Sequence, residues 1–391
     1  MPFFFILVLA LGTFAIGTDE YLVAGLLPTV AAEMKVSQGV VGQLVTVFAL
    51  TYALSSPLLA AVTVHLPRKR VLLGAMVLFS LANLLAFFAP SAMWLFLTRF
   101  LAALAAALYT PTAMATVAQL VEGKLRARAM SLVLAGTTSA LVLGLPLGSW
   151  IGTLFGWRMS FGLVALLGAI VTVFLGILCP HIPPVENMVT WRERFQLLGK
   201  KQVLQALGIT FFGLVAGHML LTYVMPFLKR LTTFDAATLS IVLFGSGIAS
   251  VMGNLIGGHL TDRLGIRQVL IGVYSFLILN TLSFALLMLF PKSVGVNILV
   301  VALFFLWGLA SWLGAPALNS YLVSIEPQAA TVVLSLNSMV MFLGIAGAGS
   351  VGGLVLSTAG VEYLAIVSSI LEALVLILVL RSGQRLRLAA S

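Results

Sequence analysis

Charge is what this sequence has least of. Asp, Glu, Lys and Arg make up only 8% of its 391 residues, against 61% hydrophobic, and the mean hydropathy is +1.16. Soluble domains carry about a quarter charged residues, so this composition suits a chain whose solvent is mostly lipid. Cysteine is almost missing. The lone Cys179 excludes a disulfide within the chain and any multi-cysteine metal centre. There is no G-x-x-x-x-G-K-[ST] phosphate loop, which argues against ATP as the energy source. Neither HExxH nor G-x-S-x-G occurs, and the histidines (His65, His181, His218, His259) are scattered. No enzymatic activity, metal or organic cofactor is therefore expected.

What the sequence has in abundance is long apolar runs. A membrane span needs roughly 20 apolar residues, and such runs recur at about 3–30, 39–64, 71–89, 92–120, 129–154 and 159–179. A second set follows at about 203–228, 236–262, 268–290, 294–323, 330–357 and 361–380. The expectation is an all-α polytopic membrane protein of twelve spans, arranged as two pseudo-symmetric six-helix bundles over 1–180 and 203–391. The polar stretch 181–202, with Pro183-Pro184 and Trp191-Arg192-Glu193-Arg194, reads as a cytoplasmic linker. The first run is too long for a signal-peptide core and no Lys or Arg precedes it, so it reads as a retained helix.

The formal charge of +10 raises the question of nucleic acid, but its placement answers otherwise. Fifteen of the 21 basic residues fall in alternate loops on one side (Arg68, Lys69, Arg70; Lys124, Arg126, Arg128; Arg192, Arg194, Lys200, Lys201; Arg263, Arg267; Arg381, Arg385, Arg387). Five fall on the other (Lys35, Arg158, Lys229, Arg230, Lys292). In short loops that bias marks the cytoplasmic face, which puts both termini and the linker in the cytoplasm. The expected surroundings are a bilayer, with no nucleic-acid partner.

The halves also echo each other. Glu20 precedes Pro28 by eight residues, and His218 precedes Pro226 by eight, at an offset of 198. The same offset lays Ala60–Arg70 (AAVTVHLPRKR) on Gly258–Gln268 (GHLTDRLGIRQ), while Pro111 and Pro316 match at 205. This points to internal duplication, which places a transported substance at the interface of the halves near mid-membrane.

Few ionisable residues lie deep in spans: Asp19, Glu20, Arg99, His218 and Glu372. Each needs a partner, a wet cavity or a neutral state, because a charge at the bilayer centre costs roughly 2.5–3.5 kcal/mol on insertion scales. Asp19 and Glu20, about 100° apart on a helix, cannot point the same way. Either is a candidate proton carrier, with a structural ion pair that never titrates as the alternative. His218, repeat-equivalent to Glu20, can carry a proton or bind substrate, or be a core histidine satisfied by a hydrogen bond. For Arg99 a structural tie and a coupling role stand side by side. Glu372, on the last span, has no assigned role. Among glycines, Gly148, Gly152 and Gly156, Gly253 and Gly257, and the cluster Gly344, Gly347, Gly349, Gly352 and Gly353 suggest close helix contacts. Pro146, in Gly144-Leu145-Pro146-Leu147-Gly148, is expected to bend the fifth span.

These residues resemble the twelve-span drug:proton antiporter branch of the major facilitator superfamily over essentially the whole chain. The loop Gly258-x-x-x-Asp262-Arg263-x-Gly265-x-Arg267 resembles the signature read in that family as a cytoplasmic charge latch. Arg99 sits at the arginine of the fourth-span signature, though Ala102 and Ala103 replace its Gln and Gly. Leu143–Gly148, ending in Gly156-Trp157-Arg158, resembles the fifth-span antiporter signature. In the first-half latch Val64 and Pro67 stand where Asp and Gly belong, leaving Arg68, Lys69 and Arg70 without an acidic partner. The Asp262 half is therefore expected to dominate.

Within the family the look is toward bacterial exporters of purines and nucleosides, arabinose-like sugars and chloramphenicol-type drugs. It rests on Gly17-Thr-Asp-Glu-Tyr, Ala216-Gly-His-Met, Trp307-Gly308 and Leu336-Asn337-Ser338. The resemblance implies substrate and proton sites at Glu20 and His218, reached by Asn337. Tyr109, Tyr223 and Trp307 offer further groups for a cargo. The implied activity is proton-driven export of a small molecule by alternating access, through a multi-pass protein of the bacterial inner membrane expected to act as a monomer. An uptake symporter or facilitator is the nearer alternative. A ligand sensor without turnover is the alternative of another class.

Overall fold

The computed structural model describes residues 2–121, 124–180 and 197–382, all as helices and short connections. Most of the stretch 181–202, including Trp191 to Arg194, lies outside the described residues, as do Arg385 and Arg387. Twelve helices are long and apolar enough to cross a membrane, matching the twelve runs in the sequence. The chain forms two compact units, Met1–Met188 and Val189–Ser391.

The first unit holds α1 (Pro2–Met34), α2 (Gln38–Thr63), α3 (Arg68–Phe87), α4 (Ala92–Leu120), α5 (Leu125–Phe155) and α6 (Trp157–Leu178). The second holds α7 (Lys201–Thr222), continued after Tyr223 by a short helix Val224–Leu231. It goes on with α8 (Ala236–Leu264), α9 (Ile266–Leu287), α10 (Val294–Ile325), α11 (Ala330–Thr358) and α12 (Tyr363–Arg381). Ser37, Ser91, Asp235 and Ser293 cap α2, α4, α8 and α10, each accepting from the amide three residues on. Large apolar side chains remain exposed along many helices, as lipid-facing surfaces require.

Glycine decides how closely the helices meet. Along α1 and α5 the contacts climb together. Gly136 meets the Ala10 carbonyl and Thr13, Gly17 meets Ala140, Gly144 meets Thr18, Gly148 meets Leu22, and Gly152 meets Leu26. A side chain at these positions would collide with the neighbour, so the small-residue spacing is a packing seam. Gly253 and Gly257 of α8 seat in the same way on the main-chain carbonyls of Leu309 and Leu313. Gly156 leaves the series into which its spacing placed it. With φ +88° it forms the whole link between α5 and α6 and has no neighbour where a Cβ would sit. Gly265 (φ +85°) links α8 to α9 likewise. An L side chain is strained in that conformation.

The irregularity expected at Pro146 is a π-turn over Ala140–Gly144, closed by the Leu145 amide donating to the Ala140 carbonyl. It lies against Gly17 and Thr18, one turn from the carboxyls of α1. Single π-turns inside helices often accompany functional positions.

The two units carry matching ion pairs of swapped sign. In the first, Glu33 at the end of α1 pairs with Arg158 at the start of α6, and Trp157 Nε1 donates to the same carboxylate at 2.7 Å. In the second, Arg230, after α7, pairs with Glu362, before α12, at 3.3 Å.

Candidate functional site

In the first unit, α1 presents three consecutive polar groups, Thr18, Asp19 and Glu20, all buried. Asp19 Oδ1 accepts from Arg99 Nη1 of α4 at 2.5 Å, and both side chains are essentially without exposed surface. The guanidinium also lies over the Phe48 ring of α2, 4.4 Å from its centroid. Arg99 thus ties α4 to both α1 and α2, which explains why an arginine is tolerated there. The tie is incomplete: Arg99 Nε and Nη2, Asp19 Oδ2 and Thr18 Oγ1 have no hydrogen-bond partner among the described residues.

Glu20 is the exception on this helix. It is buried, at 8% exposure, yet forms no hydrogen bond or ion pair with any described residue. Tyr21 of α1 and Tyr52 of α2 lie within its electrostatic reach, as do Asp19 and Arg99. The site is therefore one closed ion pair beside one unpaired carboxyl. Phe48 and Tyr52 were not singled out in the sequence. Their spacing of four, which puts them on one face of α2, is the signal that could have found them.

Two tyrosines correct the expectation of groups open to a cargo. Tyr109 has no exposed surface; its hydroxyl donates to the Leu9 carbonyl at 3.3 Å and its ring covers Gly12. It lies ten residues beyond Arg99, about 15 Å along α4. Tyr223 is equally buried, donates to the Gly349 carbonyl at 2.7 Å and packs on Gly352. Both rings are ties between helices of their own units.

In the second unit, His218 is half-buried on α7 and hydrogen-bonds to no described residue. Beside it, Gly217 has open space where a Cβ would point. Asn337 of α11 accepts from Thr210 Oγ1 at 2.6 Å, which leaves its amide nitrogen free of any described partner. Trp307 stacks on Phe304 with centroids 5.3 Å apart, and its indole N–H has no acceptor among the described residues. These three keep unspent hydrogen-bonding capacity. Glu20 and His218 lie in different units.

The latch residues are less engaged than their sequence suggests. Asp262 and Arg263 are exposed, and Asp262 pairs with no cation among the described residues. The Nε atoms of Arg267 and Arg68 are likewise unpartnered, and Gly258 has open space beside it. Lys69 donates to the Gly176 carbonyl at 2.8 Å, and Arg70 is exposed. Among the described residues the Asp262 loop forms no ion pair.

Comparison with known proteins agrees with this architecture. The sequence profile of the Major Facilitator Superfamily matches residues 9–348. The uncharacterized MFS-type transporter YbcL of Bacillus subtilis is 33% identical over 89% of this chain and 87% of its own. The inner membrane transport protein YdhP of Escherichia coli is 31% identical over 97% and 96%. A probable sugar efflux transporter of Mannheimia succiniciproducens is 26% identical over 96% and 93%. Two solved structures share the fold. A mutant of the nucleoside transporter NupG superposes with a TM-score of 0.79 at 16% identity, covering 97% of this chain and 99% of its own. A bacterial homologue of the lysosomal transporter Spinster, inward-facing and unoccupied, gives 0.71 at 18%, covering 99% and 96%. Twelve apolar helices, two units and a profile match along nearly the whole chain identify it as a multi-pass membrane transporter of the Major Facilitator Superfamily.

Proposed function

We propose that the chain is a proton-coupled secondary transporter that exports a small molecule across the bacterial inner membrane by alternating access. The observation that carries this reading is Glu20, a buried carboxyl without a partner beside a closed Asp19–Arg99 pair. Intramembrane carboxyls without a structural partner are functional by default. With Asp19 and Arg99 compensating each other, the local charge is set by Glu20 alone. Protonated, the group of three is neutral; deprotonated, it carries one negative charge. A proton taken up from outside releases cargo, and its release inward restores a site that binds cargo again. His218, Asn337 and Trp307 supply idle donors and acceptors for a neutral or weakly basic cargo of the purine or nucleoside, sugar or drug class. The sugar efflux relative supports export as the direction.

The test is transport in proteoliposomes under an imposed pH gradient, with arabinose, inosine and chloramphenicol as probes. Glu20→Gln is expected to abolish gradient-driven movement of the transported probe while leaving membrane insertion intact. Unchanged transport sinks the assignment. A silent Glu20→Gln with an inactive Asp19→Asn moves the proton to Asp19.

A further inference from the structure

Glu372 is a second buried carboxyl, on α12 of the second unit, with 1% of its surface exposed. No ion pair reaches it from the described residues. Hydroxyls surround it instead. Thr281 Oγ1 of α9 lies 2.8 Å from Oε2, and Ser368 Oγ lies 3.4 Å from Oε1. Thr281 Oγ1 is also 2.7 Å from Ser369 Oγ, which is 3.1 Å from the Ala365 carbonyl. Ser368 Oγ is 3.1 Å from the Ala216 carbonyl of α7. The cluster thus joins three helices.

Each hydroxyl has one proton to give. If the carboxyl is neutral, its O–H donates to Thr281, Thr281 to Ser369, and Ser369 to the Ala365 carbonyl. That chain satisfies the contacts among the side chains and ends on a main-chain acceptor, with the Leu277 carbonyl, 2.9 Å from Thr281 Oγ1, as the other acceptor open to Thr281, while Ser368 is free to serve Ala216. If the carboxyl is charged, the chain must reverse. Ser369 then abandons Ala365, and Ser368 is pulled from Ala216 toward Oε1. The anion would still be buried with hydroxyls alone for company, a costly state without a cation.

No cation stands near on the packed helices. Arg267 is fourteen residues from Thr281, about 21 Å along α9, and Lys201 is fifteen from Ala216, about 22 Å along α7. Arg381 is nine residues past Glu372, about 13 Å along α12. His218 lies about 200° around α7 from Ala216. Tyr363 begins α12, about 13 Å from Glu372. Tyr274 is the titratable side chain within electrostatic reach, and it is neutral when protonated. Helix α11 contains no ionisable residue. The contacts of 2.7–2.8 Å are direct hydrogen bonds, which leave no gap between these oxygens for a metal ion.

We propose that Glu372 is a proton-binding site of the second unit: it is a carboxylic acid in this conformation, and losing its proton draws Ser368 off the Ala216 carbonyl of α7. The proton leaves to solvent base, and no other group changes its protonation. Because α7 also carries His218, the protonation of Glu372 is linked to the helix that bears the second unit's unpartnered histidine. The proposal does not depend on the role given to Glu20.

Infrared spectroscopy of the purified protein tests it. The wild type at neutral pH is expected to show a carboxylic-acid carbonyl band that shifts on H/D exchange. It should persist in the Asp19→Asn/Glu20→Gln variant, vanish in Glu372→Gln and move in Thr281→Val. If Glu372→Gln does not fold, Thr281→Val, which retains the acid, reads the same band. Hydrogen exchange tests the link to α7. As pH rises, its amides should exchange faster in the wild type than in Glu372→Gln at the same pH. A wild type with no such band, or a band unmoved by Thr281→Val, overturns the proposal. So does a Glu372-dependent rise in melting temperature with sodium or potassium, which would make this a cation site. Equal exchange of α7 in both proteins removes the link.

Discussion

Asp19 and Glu20 are neighbours in sequence with opposite fates. Asp19 has a guanidinium 2.5 Å away, whereas Glu20 has no described partner. Breaking a buried pair from one side leaves an uncompensated charge, at a cost of roughly 3–5 kcal/mol. Arg99→Gln should therefore lower the melting temperature of the detergent-solubilised protein strongly. The double variant Asp19→Asn/Arg99→Gln should recover much of the loss. Failure of the double variant to recover would mean that stacking on Phe48, not the charge pair, holds Arg99.

The exposed pair Arg230–Glu362 belongs to the other extreme. Hydrogen bonding to its own backbone and the nearby Arg230 hold the Glu362 carboxyl below the usual carboxylate range. A group depressed in the folded state lends stability above its unfolded value, about 4.3 for Glu, and loses it as pH falls through the folded value. Both side chains are nearly half exposed, so solvent limits the coupling to under about 1 kcal/mol. A double-mutant cycle with Arg230→Gln and Glu362→Gln should show that small coupling at neutral pH. It should show none under acid conditions that protonate the carboxyl.

Individual helices are shaped by where glycine is required and where it is incidental, and α8 contains both cases. A Cβ on Gly253 would strike the Leu309 carbonyl, a main-chain atom that cannot move without the helix. One on Gly245 would meet nothing within 4 Å. Gly253→Ala should destabilise by about 1–3 kcal/mol through overpacking. Gly245→Ala should be neutral or gain up to about 1 kcal/mol by restricting the unfolded chain. Thermal unfolding of the two variants side by side checks the contrast. The π-turn of α5 sits against Gly17 and Thr18. Deleting Val142 would remove the extra residue that the π-turn carries and convert it to regular α-helix, keeping Gly148 and Gly152 on the seam but closing the bulge beside Gly17 and Thr18. Loss of transport with retained insertion is the expected result.

At the scale of the whole molecule, the distribution of charge predicts an orientation. The excess of Lys and Arg in alternate loops predicts that the termini lie inside and that Lys292 lies in a loop on the other side. In a Cys179→Ser background, Lys292→Cys in intact cells should react with a membrane-impermeant maleimide. Labelling only after lysis would invert the topology. The native thiol interferes little even without that background, because burial pushes Cys179 up to about 11 and thiolate is scarce near neutrality.

The twelve spans were legible because each needs a long apolar run that nothing else in a sequence resembles. The deep ionisable residues were legible for the converse reason: in such runs they stand alone. Partnership was not legible. Nothing in one dimension says that Arg99 meets Asp19, 80 residues away, and misses the residue next to it, Glu20. Nor does sequence say that Tyr109 and Tyr223 turn into their own bundles, or that Glu372 finds two hydroxyls, those of Thr281 and Ser368. Span positions follow from the hydropathy of contiguous residues, which is local. The choice of which buried polar group is satisfied depends on the angle at which two helices meet, and only the packed structure sets that angle.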